Sequence, residues 1–91
     1  MKTIWKFTLE ITDKQVIMLP EQSKIICVQV QQGKPCIWAE VDLSKTDTAD
    51  QYDIYTYGTG HEVENIEGQY IGTYQLHDGY QICHVYAEKE K

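Results

Sequence analysis

The chain has 91 residues, 42% hydrophobic and 24% charged, the balance of one globular domain over 1–91 rather than of a disordered segment. Folding hides only about 60–65% of the unfolded surface of a chain this short, so its core is thin. Eight lysines and no arginine stand against 14 acids, a net charge of −6, which excludes the cationic footprint a nucleic-acid polymer or an anionic membrane would need.

The charge is unevenly spread, six lysines against five acids up to Lys45 and two against nine beyond it. No apolar run approaches the ~20 residues that span a bilayer, and Met1–Lys6 lacks a signal-peptide core. No membrane association and a cytoplasmic location are therefore expected. Cys27, Cys36 and Cys83 are odd in number and show no CxxC spacing; in that compartment they read as reduced, partly buried thiols.

From the N-terminus, Trp5, Phe7, Leu9 and Ile11 alternate with Lys6, Thr8 and Glu10, the pattern of a half-buried strand over Thr3–Ile11. Thr12–Lys14 reads as a turn, and Gln15–Leu19 as a short strand stopped by Pro20. Lys24–Gln31 and Cys36–Leu43 flank Gln32-Gly33, a two-residue hairpin turn that opposes Gln29 with Cys36 and Cys27 with Trp38. One face then carries Ile26, Val28, Val30, Ile37, Ala39 and Val41. The other carries Cys27, Gln29, Gln31, Trp38, Glu40 and Asp42, a surface suited to meeting something rather than to a core. Ser44–Asp50 is a polar loop, with Ser44 able to cap one helical turn at most. Gln51–Tyr57 is a strand, and the chain from Gly58 to Gly68 is a second loop, acidic in its later part. A final hairpin, Gln69–Leu76 and Tyr80–Ala87, turns at Asp78-Gly79, a type I′ signal that opposes Thr73 with His84 and Gln75 with Ile82. Tyr70, Gly72, Tyr74 and Leu76 then share one face. The fold class predicted is all-β: six or seven short antiparallel strands in meander-like hairpins, forming a small sheet, barrel or sandwich. Exposed strand edges on so small a domain favour a homo-oligomer.

Catalysis finds little support. Ser23 and Ser44 sit in no strand-turn-helix elbow. Cys83 and His84 are adjacent in a strand and so point to opposite faces. His61, His77 and His84 are scattered singly, so no metal or cofactor site is expected. The most informative segment is Tyr57-Gly58-Thr59-Gly60-His61. Its glycines let a backbone approach a ligand closely, successive N–H groups can cradle an anion, and Thr59, His61 and Tyr57 add a hydroxyl, a donor and a stacking plane. The bland alternative is a strand-ending turn, since GxG without a βαβ unit is a weak motif.

Lys2-Thr3-Ile4-Trp5-Lys6-Phe7, Thr12-Asp13-Lys14-Gln15, Val28-Gln29-Val30-Gln31 with Gly33, Pro35-Cys36-Ile37-Trp38-Ala39, Tyr57-Gly58-Thr59-Gly60-His61 and Tyr70-Ile71-Gly72-Thr73-Tyr74-Gln75 span Lys2–Val85. Together they resemble a family of small accessory proteins common in phages and prophages. Gln32 departs from that pattern, in which asparagine is commoner before the turn glycine. The resemblance implies a non-structural phage protein working in the bacterial host cytoplasm. Small phage proteins of that kind often disarm host defence, one way being to sequester a cyclic nucleotide or ADP-ribose-derived signal. The expectation is a non-catalytic protein that binds a small nucleotide-like ligand at an oligomer interface. Its ligand-binding residues would be Gln29, Gln31, Trp38, Tyr57, Gly58, Thr59, Gly60, His61 and Tyr74, with Trp5 as a further stacking position that packs more readily in the core. An alternative is an acidic protein-protein inhibitor or adaptor that masks a basic surface of a host protein.

Overall fold

A computed structural model describes residues 1–91 and contains seven strands: β1 (Lys2–Thr8), β2 (Lys14–Pro20), β3 (Lys24–Gln31), β4 (Lys34–Asp42), β5 (Ala49–Gly58), β6 (Gln69–Leu76) and β7 (Gln81–Lys89). They form two sheets, one ordered β1-β4-β3 and the other β2-β5-β7-β6, and every pairing is antiparallel. The all-β class is as expected from the period of two, and neither sheet closes into a barrel.

Both tight turns follow from local chemistry. Gln32 and Gly33 take φ of 52° and 79°, and Asp78 and Gly79 take 56° and 90°, the positive values that a type I′ turn requires at both central residues. The expected registers hold: Gln29 opposes Cys36 and Cys27 opposes Trp38, while Thr73 opposes His84 and Gln75 opposes Ile82.

The meander does not hold. Only β3–β4 and β6–β7 join sequence neighbours; β1 pairs with β4, β2 with β5 and β5 with β7. The first strand stops at Thr8 because the chain crosses there from one sheet to the other. Leu9 N–H donates to Pro35 O at 2.9 Å as the last link to the first sheet, and Thr56 N–H donates to Asp13 O at 2.9 Å as the first link to the second. Between them Gln15 staples the crossover, its Oε1 accepting from Glu10 N–H and its Nε2 donating to Glu10 O. Ile11 lies on this crossover and is exposed. The crossover places Leu9 in the core and lets Ile17 of β2 pack against it, although β1 and β2 do not pair with each other. The 3-10 turn Leu43–Lys45 is capped by Asp42 rather than Ser44: the Asp42 carboxylate accepts from Ser44 N–H and its hydroxyl at 2.9 and 2.7 Å.

The core lies between the sheets. Val28 and Ile37 from the first meet Ile54, Tyr74, Leu76, Cys83, Val85 and Ala87 from the second, with Leu9 of the crossover. Two bulges alter the faces read from alternation. One extra residue between Ile25 and Cys27 puts Ile25 against the core and leaves Ile26 46% exposed. Another between Tyr70 and Gly72 moves Tyr70 off the face of Tyr74 and Leu76. Gly72 marks a close approach of the two sheets, since a Cβ there would lie 2.6 Å from Val28 Cγ1.

Candidate functional site

The Tyr57–His61 segment ends β5 in a tight turn. His61 N–H donates to Gly58 O at 3.1 Å, and Thr59 N–H donates to Ile82 O at 3.3 Å. Gly60 supplies the positive φ (82°) the third turn residue needs. Gly58 serves a different purpose: a Cβ on it would lie 2.7 Å from the His61 ring, so its bare Cα lets the imidazole fold back over the strand end.

This turn is one wall of a cleft of about 300 Å³, at the lower end of the size range of small-molecule sites. Ile11 and Asp13 of the crossover form a second wall, and Tyr80, Gln81 and Cys83 at the start of β7 a third. The cleft thus brings together a histidine, threonines, a carboxylate and Tyr80, a residue that is 92% exposed. No lysine lines it, so its polar groups are the Asp13 carboxylate, the His61 imidazole, the Gln81 amide and hydroxyls.

A hydrogen-bonded chain holds the turn from the outer face of the four-stranded sheet. Thr59 Oγ1 pairs with His84 Nε2 at 2.6 Å, His84 Nδ1 with Thr73 Oγ1 at 3.0 Å, and Thr73 Oγ1 with the Tyr70 hydroxyl at 2.7 Å. Both ring nitrogens of His84 are therefore engaged by threonines. Tyr57 lies on the same outer face. Its hydroxyl accepts from Glu67 N–H at 2.9 Å, pinning the far end of the loop, and its ring meets Tyr86 edge-on with centroids 5.5 Å apart.

Of the residues expected to bind ligand, Gly58, Thr59 and His61 come together around the cleft. Gly60 shapes the turn without lining it, and Tyr57 staples the loop from outside. Gln29, Gln31 and Trp38 sit apart, on the outer face of the three-stranded sheet. There Trp38 lies between Lys6 and Cys27 in the register, and Gln31 accepts from Lys6 Nζ at 2.6 Å. Tyr74 is corrected: it is 4% exposed and belongs to the core, where burial, and then its hydrogen bond with the Cys83 thiol, push its hydroxyl pKa up. A buried ring has no face left to stack on a ligand. Trp5 stands on the core side of an edge strand and stays partly exposed.

Sequence reasoning passed over Asp13, Tyr80 and Gln81. The Tyr80 signal was present, an aromatic beside a turn that forces it outward. Asp13 and Gln81 carried none, because the pairing of Gly58 with Cys83 and the Asp13–Thr56 link are long-range.

The family described as a domain of unknown function, DUF7352, matches residues 1–91. The chain belongs to this family. No curated protein and no solved structure matches it. In this DUF7352 chain the three cysteines are unpaired, Cys36 and Cys83 buried and Cys27 half-buried. No three His, Cys, Asp or Glu side chains converge as a metal site would require, and no helix is long and apolar enough to cross a membrane.

Proposed function

We propose that the protein is a non-catalytic phage accessory protein that sequesters a small nucleotide-derived signalling molecule of host antiphage defence in the host cytoplasm. The observation that carries the reading is the cleft in which Asp13, Thr59, His61 and Tyr80 converge. A carboxylate accepts hydrogen bonds from ribose hydroxyls, as acidic residues do in dinucleotide sites. His61 can donate to a phosphate oxygen, the Thr59 hydroxyl has hydrogen-bonding capacity beyond its bond to His84, and an exposed tyrosine ring stacks on a base. Without a lysine in the cleft, the ligand class favoured has few phosphates, a cyclic mono- or dinucleotide or an ADP-ribose derivative. The resemblance to small accessory proteins of phages supplies the biological setting.

In this reading the chain is a homo-oligomer whose Gln29–Gln31–Trp38 face meets a second copy beside the ligand. Trp38→Ala then weakens self-association and affinity together without unfolding the chain.

The test is a thermal-shift panel of cyclic nucleotides and ADP-ribose isomers, with the ligand released by heat and checked for integrity. A hundredfold excess over Kd stabilises by about 2.7 kcal/mol, which reads as several degrees. Intact recovery is expected; a converted ligand would make the protein an enzyme, and a flat panel would overturn the reading. One observation favours the acidic-inhibitor alternative: Glu62, Glu64 and Glu67 are all exposed on one loop with no ion pair. Capture of a basic host protein would weaken steeply with salt, whereas a pocketed ligand would be much less sensitive.

A further inference from the structure

The two register irregularities of the molecule lie together. The bulge at Ile26 on β3 and the bulge at Ile71 on β6 occur on the two strands that close the seam between the sheets, just beyond the contact of Val28 with Gly72. Bulges bend a strand and re-aim its side chains, and they concentrate beside functional sites. Here the two strands part and leave a second cleft of about 390 Å³, larger than the first and separate from it.

Its lining differs from that of the first cleft. Ile25, Ile26 and Ile71 give apolar contacts, and Tyr52 and Tyr70 give rings. Lys24 and Lys89 also line it, two of the eight cations of an acidic chain. Lys24 has no ion-pair partner, and Lys89 has one loose contact, 3.5 Å to Asp50. No carboxylate lines this cleft; the acids nearest its two cations lie outside it, Asp50 beside Lys89 and Glu40 opposite Lys24 in the register. An apolar pocket with a few convergent polar groups is the usual form of a small-molecule site.

We infer that the cleft between the two bulges binds a small amphiphilic anion, its ring or aliphatic body between Ile26, Ile71 and Tyr70 and its single carboxylate, sulfonate or phosphate against Lys24 and Lys89. The inference stands apart from the nucleotide reading, which concerns the other cleft.

The probe is 2-naphthalenesulfonate, titrated into the labelled protein and followed through backbone amide resonances. Saturable shifts centred on Ser23–Ile26 and Gln69–Ile71 are expected, with Lys24→Gln and Lys89→Gln each weakening the probe about five- to tenfold. The uncharged 2-naphthamide should bind wild type more weakly and both variants as it binds wild type. Shifts centred on Thr56–His61, shifts spread over the surface, or variants that bind the sulfonate unchanged would each overturn the inference. So would concentration-dependent shifts of the same amides without probe, which would make the cleft a self-association surface.

Discussion

At the scale of single residues, Gly58 and Gly72 separate a site role from a packing role. The nearest atoms to a Cβ on Gly58 belong to the ring of His61, an exposed side chain; a Cβ on Gly72 meets the branched side chain of a buried valine and, at 3.4 Å, its backbone nitrogen. Gly72→Ala should destabilise by about 1–3 kcal/mol, the usual result of overpacking. Gly58→Ala should change stability by less than about 0.5 kcal/mol yet move the imidazole from the cleft, seen as altered His61 ring resonances. Chemical denaturation and NMR of the two variants check both outcomes. Two carboxyl groups give opposite pH signatures. The Glu90 pKa is raised, first by its hydrogen bond to Asp53 and then by the Asp53 charge, and Asp53 itself is only 5% exposed. The folded state thus holds a proton that the unfolded chain releases, so this contribution is present below pH 4.5 and lost as pH rises through the higher folded value. The Asp42 pKa is lowered by its bonds to Ser44, so its contribution is present above pH 3.8 and lost on acidification. Melting temperatures across pH 3–7 should show Glu90→Gln flattening the alkaline-side decline and Asp42→Asn flattening the acid-side one.

At the scale of elements, the bulge in β3 decides which isoleucine is core. Strict alternation back from Val28 makes Ile26 a core residue, but the extra residue leaves it about half exposed and gives the interior position to Ile25. Ile26→Lys should therefore alter stability by about 0.5 kcal/mol or less. Ile37, fully buried on the central strand β4, should lose about 2–5 kcal/mol on truncation to alanine. Equal losses in urea denaturation would mean that β3 runs unbulged. The turns need no such tertiary arbitration: Asp78-Gly79 takes the dihedrals its residue types favour, and Gln32-Gly33 takes the same dihedrals although Gln32 is the less usual residue there.

At the scale of the whole molecule, one interior is shared by two sheets that no backbone ladder joins. Trp5 and Trp38 both lie in the three-stranded sheet, and six of the seven tyrosines lie in strands of the four-stranded one. Tryptophan fluorescence and the near-ultraviolet tyrosine dichroism therefore report different sheets. Because Val28 and Ile37 pack into the same cluster as Ile54 and Val85, the two signals should follow one coincident denaturation curve, the signature of two-state unfolding. Two separated midpoints would show that each sheet is stable alone. Both clefts also belong to this scale: one opens where the crossover leaves the first sheet, the other where the seam between the sheets parts.

By itself the sequence determined the strand class, most strand positions, both hairpin turns and their registers, because these depend on alternation of side chains and on dihedrals that glycine and its turn partners favour locally. It also singled out Gly58, Thr59 and His61, three neighbours of one turn that line a common cleft. Only the tertiary structure decided which strands pair across the chain, that β1 and β2 lie in different sheets, that Tyr74 is interior, and that Asp13 and Tyr80 line the same cleft as His61 while Trp38 does not. Alternation says that a strand has two faces and never which partner covers one. A single inserted residue, as at Ile26 and Ile71, exchanges those faces without disturbing the composition that defines the strand.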